Sequence, residues 1–279
     1  STFNVALKSV PSDDVTVSVS SSNNSEGTVS PSSLTFTPNN WSSTQTVTVT
    51  GVDDNSTDGH KAYNISLSGE VDTNNPEVTT LASSFNKPYG ITTDGTNLYF
   101  ADNANHTIHK IVISSGVVTT LAGGSLGSTD ATGANARFYQ PFGITTDGTN
   151  LYVADERNHT IRKIVISSGV VTTLAGTAGS LGSTDATGTD ARFNYPSGIT
   201  TDDTNVYVTD RNNFTIRQIV ISSGVVTTLA GTVLTSGSTD ATGTNAKFRS
   251  PSAITTDGTN LYVADGSNYK IRKIVISSG

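Results

Sequence analysis

Three carboxylates fall within six residues at Asp53, Asp54 and Asp58. Calcium takes roughly six to eight oxygen ligands, often from short acidic loops, so these three are the candidate metal ligands of the chain. The bland alternative is a solvated acidic turn. Asp13, Asp14 and Glu26 are further acids of the same region. A second set recurs at Asp102, Asp155, Asp210 and Asp265, each followed three residues later by Asn. Read functionally, these form a ring of carboxylates at one rim, facing a cation or a basic partner. Read structurally, each closes an Asx-type turn or bonds to a neighbouring element. The structural reading is favoured, because the residue recurs in every copy irrespective of any site. The histidines are His60, His106, His109 and His159, and cysteine is absent, which excludes disulfides and thiolate metal sites. No residue is assigned a catalytic or cofactor-binding role.

The elements that must position these groups are copies of one paragraph. PYGITTDGTNLYFADNANHTIHKIVISSGVVTTLA from Pro88 and PFGITTDGTNLYVADERNHTIRKIVISSGVVTTLA from Pro141 match at 30 of 35 positions. Diverged copies start at Pro196 and Pro251, giving spacings of 53, 55 and 55 residues. Such a period marks a solenoid, propeller or array. A catalytic site needs one place unlike all others, and near-identical copies supply few.

Each copy parses into four strands. In the second, Gly143–Thr146 leads through Asp147-Gly148-Thr149-Asn150 to Leu151–Ala154. Asp-Gly between apolar runs is a strong hairpin signal. Thr160–Ser167 and Val170–Ala175 follow, separated by Ser168-Gly169. A meander of four short strands is the pattern of a propeller blade. Residues 77–82 (EVTTLA) form an orphan fourth strand ahead of the first copy, and the last copy stops at Gly279, before its own. The expected fold is therefore all-β: four four-stranded blades, closed by Val78–Ala82 pairing beside Ile271–Ser277. Closure of this kind removes exposed sheet edges.

Between blades, 12-residue loops begin at Gly127, Gly182 and Gly237, and the first junction lacks one. Phe138, Phe193 and Phe248 are expected to anchor them, with Phe85 as the short-loop substitute. Asp130, Asp185 and Asp240 are expected to pair with Arg137, Arg192 and Lys247, seven residues on.

Apolar residues make up 34% of the 279 and charged ones 14%, a profile that suits short strands and polar turns. The net charge of −7 is concentrated in the first 76 residues. Without a net basic domain the chain is a poor candidate for nucleic acid. No apolar run is long enough to span a membrane. Methionine is absent and the chain opens on Ser1, which reads as a processed chain or a piece of a longer one. Low Lys, abundant Thr, Ser and Asn, and tandem duplication suggest an exported bacterial protein.

The string NLYVADERNHTIRKI at Asn150–Ile164 resembles the NHL repeat of five- and six-bladed propellers, and the inter-blade D-x-T-G-x-x-A-R-F resembles bacterial members of that family. The resemblance covers residues 77–279. It departs in copy number and at the name-giving His: His106 and His159 are followed by Phe214 and Tyr269, so an aromatic plug is expected there. His109 stands where the other copies have Arg162, Arg217 and Arg272, read as drift at a solvated strand position. The resemblance implies an interaction platform; related six-bladed proteins also include metal-dependent lactonases and an amidating lyase.

Residues 1–68 show strand rhythm at Phe3–Leu7, Val15–Ser20, Leu34–Thr37, Gln45–Thr50 and Ala62–Leu67, suggesting a small β-sandwich capped by Trp41, with residues 69–76 as linker. The phrase EGTVSPSSLTFTPNNW followed by QTVTVTGVDD resembles Calx-β-like modules of bacterial surface proteins, some of which bind calcium. The expected function is a non-catalytic extracellular or cell-surface binding or scaffolding protein. Its partner would be a protein, a carbohydrate or a copy of itself. Alternatives are a fibre or surface-layer subunit assembled by strand donation, and a metal-dependent propeller hydrolase or lyase.

Overall fold

The computed structural model describes residues 1–52, 62–71 and 78–277. Asp53, Asp54, Asp58 and His60 lie outside the described residues. The chain divides into two compact units, Ser1–Thr79 and Thr80–Gly279. Among the described residues no helix is long and apolar enough to cross a membrane.

The first unit holds β1 (Thr2–Val5), β2 (Val15–Ser21), β3 (Gly27–Ser30), β4 (Ser33–Phe36), β5 (Gln45–Gly51) and β6 (Ile65–Val71). They form two three-stranded antiparallel sheets, ordered β1-β5-β3 and β4-β2-β6. Alternation along β2 buries Val17 and Val19 with Leu34, Phe36 and Val47. Strand β3 is not among the strands expected from the sequence, and β6 runs on through Val71 into the expected linker. Trp41, the expected cap, is half-buried and lies outside that apolar cluster.

In the second unit each copy of the paragraph is one antiparallel sheet. The first comprises β7 (Pro88–Thr93), β8 (Asn97–Asp102), β9 (Thr107–Val112) and β10 (Val118–Gly123). The second comprises β11 (Pro141–Thr146), β12 (Asn150–Asp155), β13 (Thr160–Val165) and β14 (Val170–Ala175). The third comprises β15 (Pro196–Thr201), β16 (Asn205–Asp210), β17 (Thr215–Val220) and β18 (Val226–Ala230). The fourth has three strands: β19 (Pro251–Thr256), β20 (Asn260–Asp265) and β21 (Lys270–Val275).

The β11–β12 and equivalent turns are pinned by one carboxylate. Asp147 accepts from the backbone of Thr149 and Asn150, the Asn150 amide and the Tyr152 hydroxyl. Gly148 sits there at φ 83°, a conformation that favours glycine.

Successive sheets face each other through apolar layers. Tyr99, Ala101 and Ile108 of the first sheet enclose Ile144, Leu151, Val153 and Ile164 of the second, with Phe138 from the intervening loop. The same layer recurs around Ile199 and Ile254. Burying each such side chain contributes about 1.5–3 kcal/mol. Inner strands β7, β11, β15 and β19 pack in series. They approach so closely that a Cβ on Gly143 would lie 2.2 Å from the Ser197 carbonyl oxygen.

The expected closure is not made by the described residues. Val78–Ala82 carries no strand, and β21 pairs with β20 in a sheet that has no fourth strand. Ile91 at one end of the series and Ile271 at the other are both exposed. The four sheets form an open arc. Sequence complementarity between the orphan segment and the last copy does not by itself bring the two ends of one arc together.

Candidate functional site

The repeated acids are structural fasteners. Asp155 closes β12 fully buried, and its carboxylate accepts from the Tyr139 backbone N–H at 2.8 Å, the Asn158 amide at 2.7 Å and Arg162 Nη1 at 3.0 Å. Asn158 also donates to the Gly127 carbonyl, tying the preceding loop down. Asp210, Asn213 and Arg217 repeat this set, as do Asp265, Asn268 and Arg272. Asp102, Asp155, Asp210 and Asp265 thus form no rim ring open to a cation; all four are buried. Burial pushes the Asp155 and Asp210 carboxyls up, to about 6, against the opposing pull of Arg162 and Arg217.

The arginines correct two expectations. Arg162 and Arg217 are not solvated but fully buried. They, and not Arg137 and Arg192, take the loop acids: Arg162 Nη2 lies 2.6 Å from Asp130 Oδ1, and Arg217 Nη2 2.6 Å from Asp185 Oδ1. Arg272 pairs likewise with Asp240. The Arg137 guanidinium donates to the Ala134 and Ala136 carbonyls, and Arg192 does the same at Thr189 and Ala191. Each buried guanidinium also lies over the anchoring Phe, 5.0 Å from the ring centre for Arg162 and Phe138. Phe138, Phe193 and Phe248 are buried as expected.

The loop then runs along the outer strand of the sheet that follows. Asp130 accepts from the Thr173 N–H and hydroxyl, and the Ala131 carbonyl accepts from Val171 N. This covers the β14 edge, and Asp185 and Ala186 cover β18 in the same way. Where no such loop precedes the first sheet, the arginine is absent as well. His109 stands there, 3.5 Å from Asp102, with Phe85 packed on its ring and on Phe100. Burial holds the His109 pKa below its ordinary value, against the raising influence of Asp102.

In the first two copies the name-giving position joins sheets, whereas Tyr269, expected as an aromatic plug, is exposed. His106, His159, Phe214 and Tyr269 all adopt left-handed backbone, at φ between 56° and 60°. The His159 ring packs edge-on against Tyr195, and its Nδ1 accepts the Tyr195 N–H at 3.2 Å. His106 treats Tyr139 and the Gln140 N–H alike.

One constellation does not repeat. After the second-strand Asp the copies read Asn103-Ala104, Glu156-Arg157, Arg211-Asn212 and Gly266-Ser267. Arg157 is exposed and donates to Gln140 Oε1 at 3.1 Å and to the Tyr195 hydroxyl at 3.2 Å. Its guanidinium lies 5.1 Å from the Tyr195 ring centre, and that of Arg211 lies 5.9 Å away. Glu156 is buried 2.9 Å from Arg211, a Coulombic contact, since its Oε1 has no aligned hydrogen-bond donor. Burial pushes the Glu156 carboxyl up, against Arg211 and Arg157. Two guanidinium groups flanking one phenol ring suit an anionic or planar polar group. Comparison within single copies misses this patch because it straddles two; a column-by-column comparison would have found it.

Among the described residues no three His, Asp or Glu side chains converge as metal ligands. The candidate set Asp53, Asp54 and Asp58 is not among those residues.

Residues 193–219 match the NHL repeat family model. The chain is 32% identical over 144 residues to human NHL repeat-containing protein 2, covering 47% of this chain and 20% of that protein. Chicken NHL repeat-containing protein 2 is 29% identical over 227 residues, covering 69% and 31%. The chain thus spans between a fifth and a third of the length of these relatives. Among solved structures, a structural genomics protein of unknown function from Bacteroides thetaiotaomicron superposes with TM-score 0.56 at 27% identity, over 68% of this chain and 47% of that one. An auxiliary nutrient binding protein from Bacteroides ovatus superposes with TM-score 0.54 at 21% identity, over 67% and 48%, a likeness of fold. The repeat match, the relatives and the series of sheets together support an NHL-repeat β-propeller.

Proposed function

We propose that the chain is a non-catalytic binding or scaffolding protein of the cell exterior, in which a Calx-β-like sandwich carries an NHL-type propeller. The observation that carries this reading is the division of labour among its charges. The repeated Asp and Arg side chains are consumed in fastening sheets, and the unrepeated Arg157–Tyr195–Arg211 patch is left to meet a ligand. A carboxylate of an acidic protein segment or an acidic sugar complements two guanidinium groups beside a phenol. The Thr-, Ser- and Asn-rich composition and the surface-module phrase after Glu26 support the exterior location. Calcium at Asp53, Asp54 and Asp58 belongs to the same proposal.

The test is binding of the chain to glycan and acidic-peptide arrays. Arg157→Ala is expected to weaken the signal by about tenfold or more while leaving the melting temperature within a few degrees, because Arg211 still pairs with the buried Glu156. Turnover of lactones or esters by the chain, with no array ligand retained, overturns the reading.

A further inference from the structure

Three leucines stand exposed at the internal junctions between sheets. Leu126, Leu181 and Leu234 are 57%, 61% and 66% exposed, each in the segment that leaves one sheet for the next. Every one of these junctions has a sheet on both sides, so the exposure is intrinsic to the repeat. The leucines are also held in place. Gly127, after Leu126, donates its N–H to the Phe138 carbonyl, and Gly182, after Leu181, donates to that of Phe193. Leu234 donates its own N–H to the Asn213 carbonyl at 3.0 Å. Its φ of 55° is left-handed, a conformation that a Cβ makes unfavourable. A large apolar side chain on such backbone, facing water, gains the fold nothing, and outliers of this kind point to function.

These leucines share one end of the sheets with the unrepeated cations. Pro141 pairs with Asp155 and Pro196 with Asp210, so the short turns that follow β12 and β16 lie where the inner strands begin. Those turns carry Arg157 and Arg211, and each is hydrogen-bonded to a leucine segment. Gly179, two residues before Leu181, donates to the Asn158 carbonyl at 3.2 Å, and Leu234 donates to that of Asn213. Arg249 joins them: it is exposed, and its carbonyl takes the Ser267 N–H of the fourth turn as Tyr139 takes that of Arg157. Glu156, the acid of these turns, is buried against Arg211. At the opposite end of the sheets the hairpin turns carry Asp94, Asp147, Asp202 and Asp257. An anionic partner is drawn to the first end and repelled from the second.

We propose that this end of the sheets docks a protein segment that combines acidic with large apolar side chains, in preference to an acidic sugar. The inference rests on reading Arg157–Tyr195–Arg211 as a ligand site, and adds the class of its partner. Arg157 and Arg211 take the carboxylate of the segment, and Leu181 and Leu234 take its aliphatic or aromatic side chains. An acidic sugar satisfies the guanidinium groups and the Tyr195 ring but turns hydroxyls toward the leucines, where they lose water without gaining a partner. Removing the exposed apolar area from water is the contribution that a protein segment makes and a sugar does not. Tyr and Arg together are the residues that anchor protein interfaces, and here Tyr195 lies between two arginines with a leucine segment bonded to the turn of each.

Fluorescence anisotropy on the full chain tests the proposal with three labelled probes: short peptides in which Glu alternates with Leu and Phe, the same peptides with Ser in place of Leu and Phe, and oligogalacturonate. The apolar acidic peptides are expected to bind about tenfold or more tighter than either other probe. Leu181→Ser with Leu234→Asn is expected to erase that advantage. Leu234→Asn alone is expected to raise the melting temperature, because Asn tolerates left-handed backbone, so its loss of binding is separated from any loss of folding. Arg157→Ala is expected to weaken every probe that binds. Oligogalacturonate binding as tightly as the apolar peptides, or apolar peptides indifferent to the leucine substitutions, overturns the partner class; if Arg157→Ala still weakens that binding, the Arg157–Tyr195–Arg211 site stands. Binding of none of the three probes overturns both.

Discussion

Arg162 Nη2 meets Asp130 Oδ1 at 2.6 Å across 32 residues of chain, while Nη1 of the same guanidinium holds Asp155 at 3.0 Å. One cation thus ties an inter-blade loop to the sheet after it. Asp155 and Arg162 are both without solvent contact, so each depends on the other for its charge. Arg162→Met is expected to cost about 3–5 kcal/mol by leaving a buried carboxylate unpaired. Asp130→Asn, at a half-exposed partner, should cost about 1 kcal/mol or less. Urea denaturation separates the two, and faster hydrogen exchange at the Thr173 amide would report the freed loop.

The His159 ring gives a pH-dependent junction. Burial and the nearby Arg157 hold its pKa below the ordinary 6.5, and its Nδ1 must be unprotonated to accept the Tyr195 N–H. The unfolded chain therefore binds the proton first, and stability present above pH 6.5 is lost as pH falls through the folded value. His159→Phe, the residue found at Phe214, removes that titration. The variant is expected to be about 1 kcal/mol less stable at neutral pH, from the unpaired Tyr195 N–H. The gap should narrow as acid is added. Chemical denaturation at a series of pH values checks the crossover.

The turn acids act in a lower window. Burial would raise the Asp147 carboxyl, but donors from Asn150, Tyr152 and Thr149 outweigh it and hold the pKa below 3.8. Stability from this turn is present above that value and lost as pH falls beneath it. Asp147→Asn should lower stability at neutral pH and flatten the acid limb below pH 3.8, so that the two stability curves converge in acid.

Gly143 tests how tightly the inner strands meet. A methyl group there would sit 2.2 Å from a backbone oxygen that has no room to yield, whereas at Gly148 it would meet nothing within 4 Å. Gly143→Ala is expected to cost about 3 kcal/mol or more through overpacking. Gly148→Ala should cost about 1–2 kcal/mol, from its left-handed backbone alone. Thermal melts of the two single variants make the comparison.

The sheets of the second unit were legible in the sequence because their turns are. Asp147-Gly148 and Ser168-Gly169 punctuate apolar runs of fixed length, so strand positions follow from local chemistry alone. The destination of Arg162 was not legible by that logic. A charged residue in an alternating strand is assigned to solvent, but a blade is covered on both faces, and here the cover is a loop from the preceding repeat. The clue lay in the copies themselves: His109 replaces the arginine in the one blade that no Asp-bearing loop precedes. The partners sit 32 residues apart in all three remaining copies, well beyond the reach of a local pattern. Arc closure was misread for a related reason. Matching an orphan strand to a gap is a statement about sequence, while closing a ring requires that the curvature of four sheets bring their ends together.

Because each loop latches the sheet after it, the unit of this chain that carries its own clasp starts at a loop such as Gly127 and ends with the strand at Ala175. A tandem copying event with those boundaries inherits its own clasp, whereas one cut at Pro141 would deliver a sheet with a bare arginine and an uncovered margin. Lengthening or shortening the array therefore has a preferred scissor point, set by where Asp130 reaches and not by where the strands begin.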